Sequence, residues 1–175
     1  MNFSRNIFFA KLQLAHIPHE HFLIILKHCS KLLTPEAYDR IVSAELRDIH
    51  IHKHLHSLVA QHMMHGPCGQ INPNCPCMQK NGVCKDKYPK QFAESTRHGQ
   101  NSYPIYRRTD NKRTVKVRGD HLDNQWVVPY NAYLLSRFDC HMNVEICSTI
   151  QAVKYIYKYI YKGHDKILYQ LSNGE

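Results

Sequence analysis

The sequence lacks several features that would place it in a common class of protein. No apolar run approaches the ~18 residues that a transmembrane helix needs, and the longest clear run is only Phe22 to Leu26. No continuous apolar stretch follows the first five residues, so we expect no secretory signal peptide. Acidic residues are scarce, with 14 Asp and Glu against 23 Lys and Arg. The lack of a long apolar run and of a signal peptide argues against a membrane-spanning or secreted protein.

The excess of basic residues gives the chain a formal net charge of +9. Such an excess favours a polyanionic partner such as nucleic acid. Basic and aromatic residues also interleave, from Lys85 to Lys90 and from Tyr103 to Arg118. Because cations neutralise phosphates and aromatic rings stack on unpaired bases, this combination suits single-stranded DNA or RNA. The alternative is an ordinary solvated, charged surface.

Seven cysteines are an odd number, and without a signal peptide they argue against a disulfide framework. Four of them lie in residues 65–101, a segment rich in Gly, Pro and Asn that is typical of a loop. Thiolates and one histidine within about twenty residues suit a single tetrahedral zinc ion. The predicted ligands are His65, Cys68, Cys77 and Cys84, with Cys75 as a substitute. The alternative is a set of reduced, metal-free cysteines.

The order of apolar patterns along the chain predicts an α+β domain with an antiparallel sheet flanked by helices, into which the Cys-rich loop is inserted. The predicted strands cover residues 7–14, 19–26, 103–107, 114–118 and 141–147. The predicted helices cover residues 35–46, 53–64, 129–137 and 148–162. The first two strands form a hairpin, and we expect the second, which carries a His-x-His pattern, to be central in the sheet.

The second predicted strand contains His19-Glu20-His21. Alternate residues of a strand point to the same face, so the two imidazoles can share one divalent cation. The alternative is two polar positions on a half-exposed strand. A further alternating set falls at the start of a predicted helix, where this spacing separates the side chains, and we interpret it as a solvated face. Its members are His50, His52, His54 and His56.

The last predicted helix carries four tyrosines. At roughly 100° per residue, Tyr157 and Tyr161 share the apolar face, whereas Tyr155 and Tyr159 lie one turn apart on the polar face. Each polar-face tyrosine has a lysine three residues further on, and a nearby ammonium favours the phenolate. This pair is therefore suited to covalent attack on a phosphodiester, unless all four tyrosines simply pack or lie at the surface. The two lysines are Lys158 and Lys162.

Taken as a set, these residues resemble the Rep domain of Helitron transposons, also called the Helitron helicase-like N-terminal domain, which is an HUH-type endonuclease. The matching stretches run in family order across nearly the whole chain, so residues 1–175 are interpreted as a partial, N-terminally truncated copy of that domain. The stretches are 17–21, Leu23, 65–69, 84–85, 88–90, 103–108, 126–131, 141–145, 152–155, Tyr159 and 162–165.

The resemblance implies a rolling-circle enzyme that nicks and joins DNA in the nucleus. In that family, His19 and His21 would hold Mg²⁺ or Mn²⁺, with Gln13 as the expected third ligand. Tyr155 and Tyr159 would be paired nucleophiles that form a 5′-phosphotyrosine link with single-stranded DNA. A helicase domain or protein of the same element is the further expected partner.

Two departures from the family pattern favour an alternative function: Lys11, and the lack of the strands that precede these motifs in the family. The acidic position that precedes the histidines is Lys11 here, a cation beside the expected cation site. The chain also has no Gly-x-x-x-x-Gly-Lys-Ser/Thr phosphate loop, so the family name predicts no ATPase. The alternative function is a catalytically inactive, basic, nucleic-acid-binding fragment of a decayed Helitron protein. A third hypothesis is a remnant without a stable fold, because a sheet that lacks its outer strands exposes an edge.

Overall fold

The structure is a computed structural model that describes residues 7–13, 20–99 and 104–147. Apart from short 3-10 helices, two strands, two helices, two strands, one helix and one strand follow one another in this described part. The strand pairs are antiparallel, which confirms the predicted α+β class. Within it, no helix is both long enough and apolar enough to cross a bilayer. The elements are β1 (Ile7–Gln13), β2 (Glu20–Ile25), α1 (Pro35–Asp39), α2 (Lys53–His62), β3 (Val115–Val117), β4 (Asp120–Leu122), α3 (Ala132–Phe138) and β5 (His141–Cys147).

Three strands form the larger sheet, in the order β2-β1-β5. The predicted hairpin is confirmed, since β1 and β2 pair antiparallel along their length. The predicted central position of the His-x-His strand is not confirmed. Within the described residues β1 lies in the middle, because β5 pairs with its second edge, and β2 lies at the side. Periodicity along one strand carries no information about which strand becomes its neighbour.

β5 follows the alternation that its sequence predicted. Met142, Val144 and Ile146 are all buried in the main core. The outer edge of the strand is also engaged, because the Val144 N–H donates to the Pro129 carbonyl at 2.9 Å. β5 is therefore held by backbone hydrogen bonds on both edges and by apolar packing on one face.

The first helix is shorter than predicted. The Thr34 hydroxyl caps α1 as expected, but the helix ends at Asp39 rather than near Leu46. Val42, Ala44 and Leu46 are each only 1% exposed, and burial at every second residue is typical of an extended chain. The apolar period of two in this stretch outweighs the helix-start signal that precedes it.

The other helices lie close to their predicted positions. α2 ends two residues earlier than expected, and α3 begins after Asn131, whose side chain accepts a hydrogen bond from the Leu134 N–H at 2.9 Å. In place of the strand predicted at 103–107, residues 104–108 contribute only isolated bridges to Ala93 and Arg97. The predicted last helix, 148–162, lies outside the described residues.

A largely buried segment, residues 124–130, begins with a short 3-10 helix (Asn124–Trp126) and continues as extended chain. Ser43 exchanges two backbone hydrogen bonds with Tyr130, at 2.8 and 2.9 Å. The Val128 N–H donates to the Met63 carbonyl at 2.7 Å. The segment thus joins the chain that follows α1 to the end of α2. The main core around it includes Tyr38, Leu46, Val59, Tyr130, Leu135, Met142 and Ile146.

Two buried polar side chains satisfy the peptide groups of this segment and its neighbours. Asn124, only 1% exposed, accepts from the Leu46 N–H at 2.7 Å and donates to the Thr109 carbonyl at 2.8 Å. Arg108, only 4% exposed, donates to the Val127 carbonyl at 2.7 Å. Buried peptide groups without partners are costly, so these hydrogen bonds stabilise the fold. They also connect the chain at Leu46, at Thr109 and at Val127, which few regular strands hold together.

Replacing Asn124 by alanine should lower the free energy of unfolding by about 2–3 kcal/mol, because one buried N–H and one buried carbonyl lose their partners. Urea denaturation followed by circular dichroism measures this change. Asn74 is exposed, and Asn74→Ala is the control, with an expected change below about 0.5 kcal/mol. Equal effects of the two substitutions would contradict the assigned role of Asn124.

Glu145 places a carboxyl group inside the protein. Its Oε2 atom is buried and has no hydrogen-bond partner among the described residues. Burial raises the pKa of Glu145 to about 7, although the Tyr106 hydroxyl, Lys90 and Arg108 all act to lower it. Between its ordinary pKa of 4.5 and about pH 7, the folded chain keeps a proton that the unfolded chain releases. This group therefore makes stability fall as the pH rises through that window.

Glu145→Gln should remove this pH dependence. Below pH 4.5 the variant and the wild type should differ little, whereas above pH 7 the variant should gain on the order of 1–3 kcal/mol relative to the wild type. The free energies of unfolding of both proteins across the pH range test this difference. A constant offset between the two curves would show that Glu145 does not titrate as described.

Candidate metal centre

The four predicted zinc ligands converge on one point. The ligand atoms of His65, Cys68, Cys77 and Cys84 all lie within 4.8 Å of one another. His65 Nε2 lies 3.6 Å from Cys68 Sγ and 3.5 Å from Cys84 Sγ. A tetrahedral ion with Zn–S near 2.3 Å and Zn–N near 2.0–2.1 Å separates a nitrogen and a sulfur ligand by about 3.5 Å. The group can therefore hold a metal ion such as structural zinc.

His65 is positioned by the end of α2 and by the 124–130 segment. Its backbone N–H donates to the Trp126 carbonyl at 2.8 Å, and the preceding Met64 forms a β-bridge with Val127. Its imidazole stacks on the Tyr88 ring, with the centroids 4.1 Å apart and the planes at 9°. Backbone and ring are therefore both restrained before a metal binds.

Cys77 and Cys84 are brought together by a tight turn. The Lys85 N–H donates to the Cys77 carbonyl at 2.8 Å, and Met78 forms a β-bridge with Cys84. Gly82 has a φ of +75°, in the left-handed region that glycine enters without steric cost. The turn therefore presents two thiols side by side, although they are seven residues apart.

Cys68 lies between two glycines, Gly66 and Gly69, that determine the path of the backbone around it. Gly69 adopts a φ of +69°, and its N–H contacts Met78 Sδ at 3.2 Å. A Cβ atom on Gly66 would lie 3.1 Å from Nη1 of Arg118, which sits in the β3–β4 turn. The absence of a side chain at residue 66 thus leaves room for the Arg118 guanidinium beside the metal loop.

The site is closed rather than open to solvent. The three thiol ligands are buried and pack against Leu122 and Trp126 in a second, smaller core. Four protein ligands fill a tetrahedral zinc ion and leave no position for water or substrate. This donor set therefore suits a metal that stabilises the fold, not one that performs catalysis.

The ionisation of the ligands follows their burial. Burial raises the pKa of Cys68 and of Cys77. Burial also acts to raise the pKa of Cys84, but backbone hydrogen bonds, first that of Tyr88, outweigh it and hold this pKa below its ordinary value. Burial lowers the pKa of His65, which favours the neutral imidazole that metals bind. A divalent ion here would offset the cost of burying thiolates.

Cys75 does not belong to the ligand group. Its Sγ lies 3.5 Å from Cys77 Sγ, but the mutual contact among ligand atoms involves only the other three thiols and the histidine. Of the two ligand sets that the sequence left open, the geometry favours the one without Cys75.

The residues predicted to bind a divalent cation are only partly covered by the described chain. Gln13 lies in β1 and His21 in β2, where the Cα partner of His21 is Lys11. His19 lies outside the described residues. The predicted catalytic residues also lie outside them: Tyr155, Lys158, Tyr159 and Lys162.

Sequence reasoning missed two polar residues of β5. Asn143 is the Cα partner of Lys11, and His141, two residues away in β5, is the Cα partner of Gln13. Asn143 Oδ1 and Glu145 Oε2 are both buried without a hydrogen-bond partner among the described residues. The signal in the sequence was the regular alternation of polar and apolar residues along this strand. That pattern indicates a buried apolar face but does not reveal that polar atoms on the opposite face are also buried.

Comparison with known proteins adds no relative: neither a scan against protein-family models nor a search of curated proteins finds a match to this chain. The Helitron resemblance therefore stays a hypothesis that rests on the quoted motifs.

We expect the wild-type chain to bind one zinc ion and Cys84→Ser to lose it, because three ligands without the fourth leave buried thiols uncompensated. Cys75→Ser is the matched control and should keep the full zinc content and the wild-type melting temperature. Elemental analysis of the dialysed proteins and thermal unfolding measure both quantities. Loss of zinc in Cys75→Ser, with retention in Cys84→Ser, would overturn the ligand set.

Proposed function

We propose that this chain nicks and joins single-stranded DNA through a tyrosine nucleophile, in the manner of Helitron Rep domains. The proposal assigns His19, His21 and Gln13 to a divalent cation, Mg²⁺ or Mn²⁺, and Tyr155 and Tyr159 to covalent attack. It also assigns the protein to the nucleus, with a helicase domain or protein of the same element as partner. The zinc centre has a structural role in this scheme.

The observation that carries the proposal is the strand register around the His-x-His segment. The Cα partners His21, Lys11 and Asn143 form one row across β2, β1 and β5, and Gln13 pairs with His141 two residues further along β1. Nitrogen-bearing and oxygen-bearing residues thus occupy alternate rows of one sheet. Mg²⁺ and Mn²⁺ take oxygen ligands, and imidazole also serves transition metals.

The proposed reaction forms a bond between the phenolic oxygen of one tyrosine and a backbone phosphorus. The bond between that phosphorus and the 3′ oxygen breaks, and the 3′ oxygen takes a proton and leaves as a hydroxyl. Lys158 and Lys162 favour the phenolate that attacks. A bound divalent cation would polarise the phosphate. Because the tyrosyl ester is still a phosphodiester, a strand end can later displace the tyrosine, so that DNA is joined and not hydrolysed.

The second candidate function is a basic nucleic-acid-binding module that has lost catalysis. The observation that favours it is Lys11, which lies between His21 and Asn143 in the row of Cα partners. A lysine at the position where the family pattern has an acidic residue replaces a negative charge by a positive one, which opposes binding of a cation. The net charge of +9 supports binding to DNA under either function.

Incubation of the zinc-loaded chain with labelled single-stranded DNA and Mn²⁺ should produce a protein–DNA adduct that survives denaturation. The adduct should disappear in the Tyr155→Phe/Tyr159→Phe double variant, because no phenolic oxygen remains to attack. The matched control is Tyr157→Phe/Tyr161→Phe, the same change on the apolar face of the same predicted helix, which should keep the adduct. Denaturing gel electrophoresis measures the yield.

The possible results separate the two functions. DNA binding without an adduct would refute the enzyme and support the inactive module. An adduct that persists in the double variant of Tyr155 and Tyr159 would refute the assigned nucleophiles.

A further inference from the structure

An open cleft of about 250 Å³ lies at the start of α2, away from the metal centre. It is bordered by the loop that precedes the helix, by His56 in the first helical turns, and by Arg113 from the chain that leads into β3. The cleft therefore joins residues that are far apart in sequence. Four of them come from the loop itself: Arg47, Asp48, Ile49 and His50.

Two guanidinium groups border this cleft. Arg47 is held in place, because its Nε donates to the hydroxyl of the buried Tyr130 at 3.1 Å. Arg113 is 43% exposed, and its Nη2 donates to Asp48 Oδ2 at 2.7 Å. Arginine presents planar, paired N–H donors that match the oxygens of a phosphate.

Two of the alternating histidines, which the sequence pattern alone predicted to form a solvated face, also border the cleft. The imidazole of His56 contacts the Arg47 carbonyl through Nδ1 at 2.7 Å. A carbonyl can only accept, so Nδ1 carries the hydrogen. His50 is tied to the cleft through its backbone N–H, which donates to Asp48 Oδ1 at 2.9 Å. The imidazoles add polar groups to a wall that already carries two permanent positive charges.

One carboxylate opposes these charges. The backbone N–H of His50 donates to Asp48 and is the largest cause that lowers its pKa, and the positive charge of Arg113 lowers it further. Asp48 is therefore ionised at neutral pH. With two arginines and one aspartate, the cleft has a net charge of +1 before any histidine is protonated. Ile49 is 48% exposed and adds an apolar wall beside the charged groups.

We propose that this cleft binds a phosphate of a single-stranded DNA backbone. Two arginines and a net positive charge select an anion, and the apolar wall of Ile49 suits the sugar next to that phosphate. The identity of the strand rests on the proposed function; the selection of a phosphate rests on the cleft alone. The cleft would then position DNA relative to the sheet without taking part in the chemistry.

The test measures equilibrium binding of a dye-labelled oligothymidylate by fluorescence anisotropy. All variants carry the Tyr155→Phe/Tyr159→Phe background and are loaded with zinc, so no covalent step interferes. Arg113→Gln should weaken binding about tenfold, as expected for loss of a charged hydrogen bond. It should also make the salt dependence shallower by about one unit of slope.

The matched control is Arg137→Gln, which makes the same chemical change at an exposed position in α3 and should weaken binding less than about twofold. Asp48→Asn should tighten binding, because it removes the competing carboxylate while keeping an oxygen for the His50 N–H. Zinc content and circular dichroism verify that each variant is folded. Equal weakening by Arg113→Gln and Arg137→Gln would overturn the proposal, since the effect would then reflect net charge only.

The source of the phosphate is tested with a mononucleotide that carries a terminal phosphate. If Arg113→Gln weakens binding of the mononucleotide but not of the oligonucleotide, the ligand is a free phosphomonoester and the strand proposal is overturned. Failure of the enzyme proposal is distinguishable, because it appears as absence of the covalent adduct with unmodified tyrosines. A dependence of DNA binding on Arg113 in that case would still support the cleft.

Discussion

The rest of the structure depends on the backbone hydrogen bonds of the buried 124–130 segment. This segment forms backbone hydrogen bonds with Ser43, with His65 just after the end of α2, and with Val144 at the outer edge of β5. Its own first residue, Asn124, uses its side chain to satisfy two further peptide groups. Buried peptide groups must find partners, so this one segment determines where three otherwise separate regions meet.

The metal centre and the sheet are connected through this same segment and through a column of rings. Trp126 packs against the cysteine ligands, while His65 stacks on Tyr88. The ammonium of Lys90 lies 4.8 Å from the Tyr88 ring centroid, and its charge also acts on Glu145 in β5. The described part of the Cys-rich loop, residues 65–99, is therefore not an isolated insertion, and a metal bound there would stabilise residues that border the sheet.

The proposed DNA-binding cleft is attached to the same framework. Tyr130 accepts a hydrogen bond from Arg47 and donates one to the Glu45 carbonyl at 2.9 Å, so a buried phenol orients a cleft residue. A strand bound in the cleft would meet Arg47, which is hydrogen-bonded to Tyr130 of the 124–130 segment. The proposed function needs such a framework, because a nucleophile can act on DNA only if the phosphate is held in a constant position.

The sequence by itself determined the α+β class, the β1–β2 hairpin, the start of α1 at its Thr34 cap, and the Cys-rich loop with the residues from which metal ligands could come, because periodicity, capping and ligand type are local or compositional signals. Only the tertiary structure decided that β1 lies between β2 and β5, that Cys75 stays outside the ligand group, that Asn143 and Glu145 are enclosed, and that Arg47 and Arg113 share a cleft. These outcomes depend on which distant stretches pack together. Such pairing follows from the burial and hydrogen bonding of the whole chain, and no short window of residues encodes it.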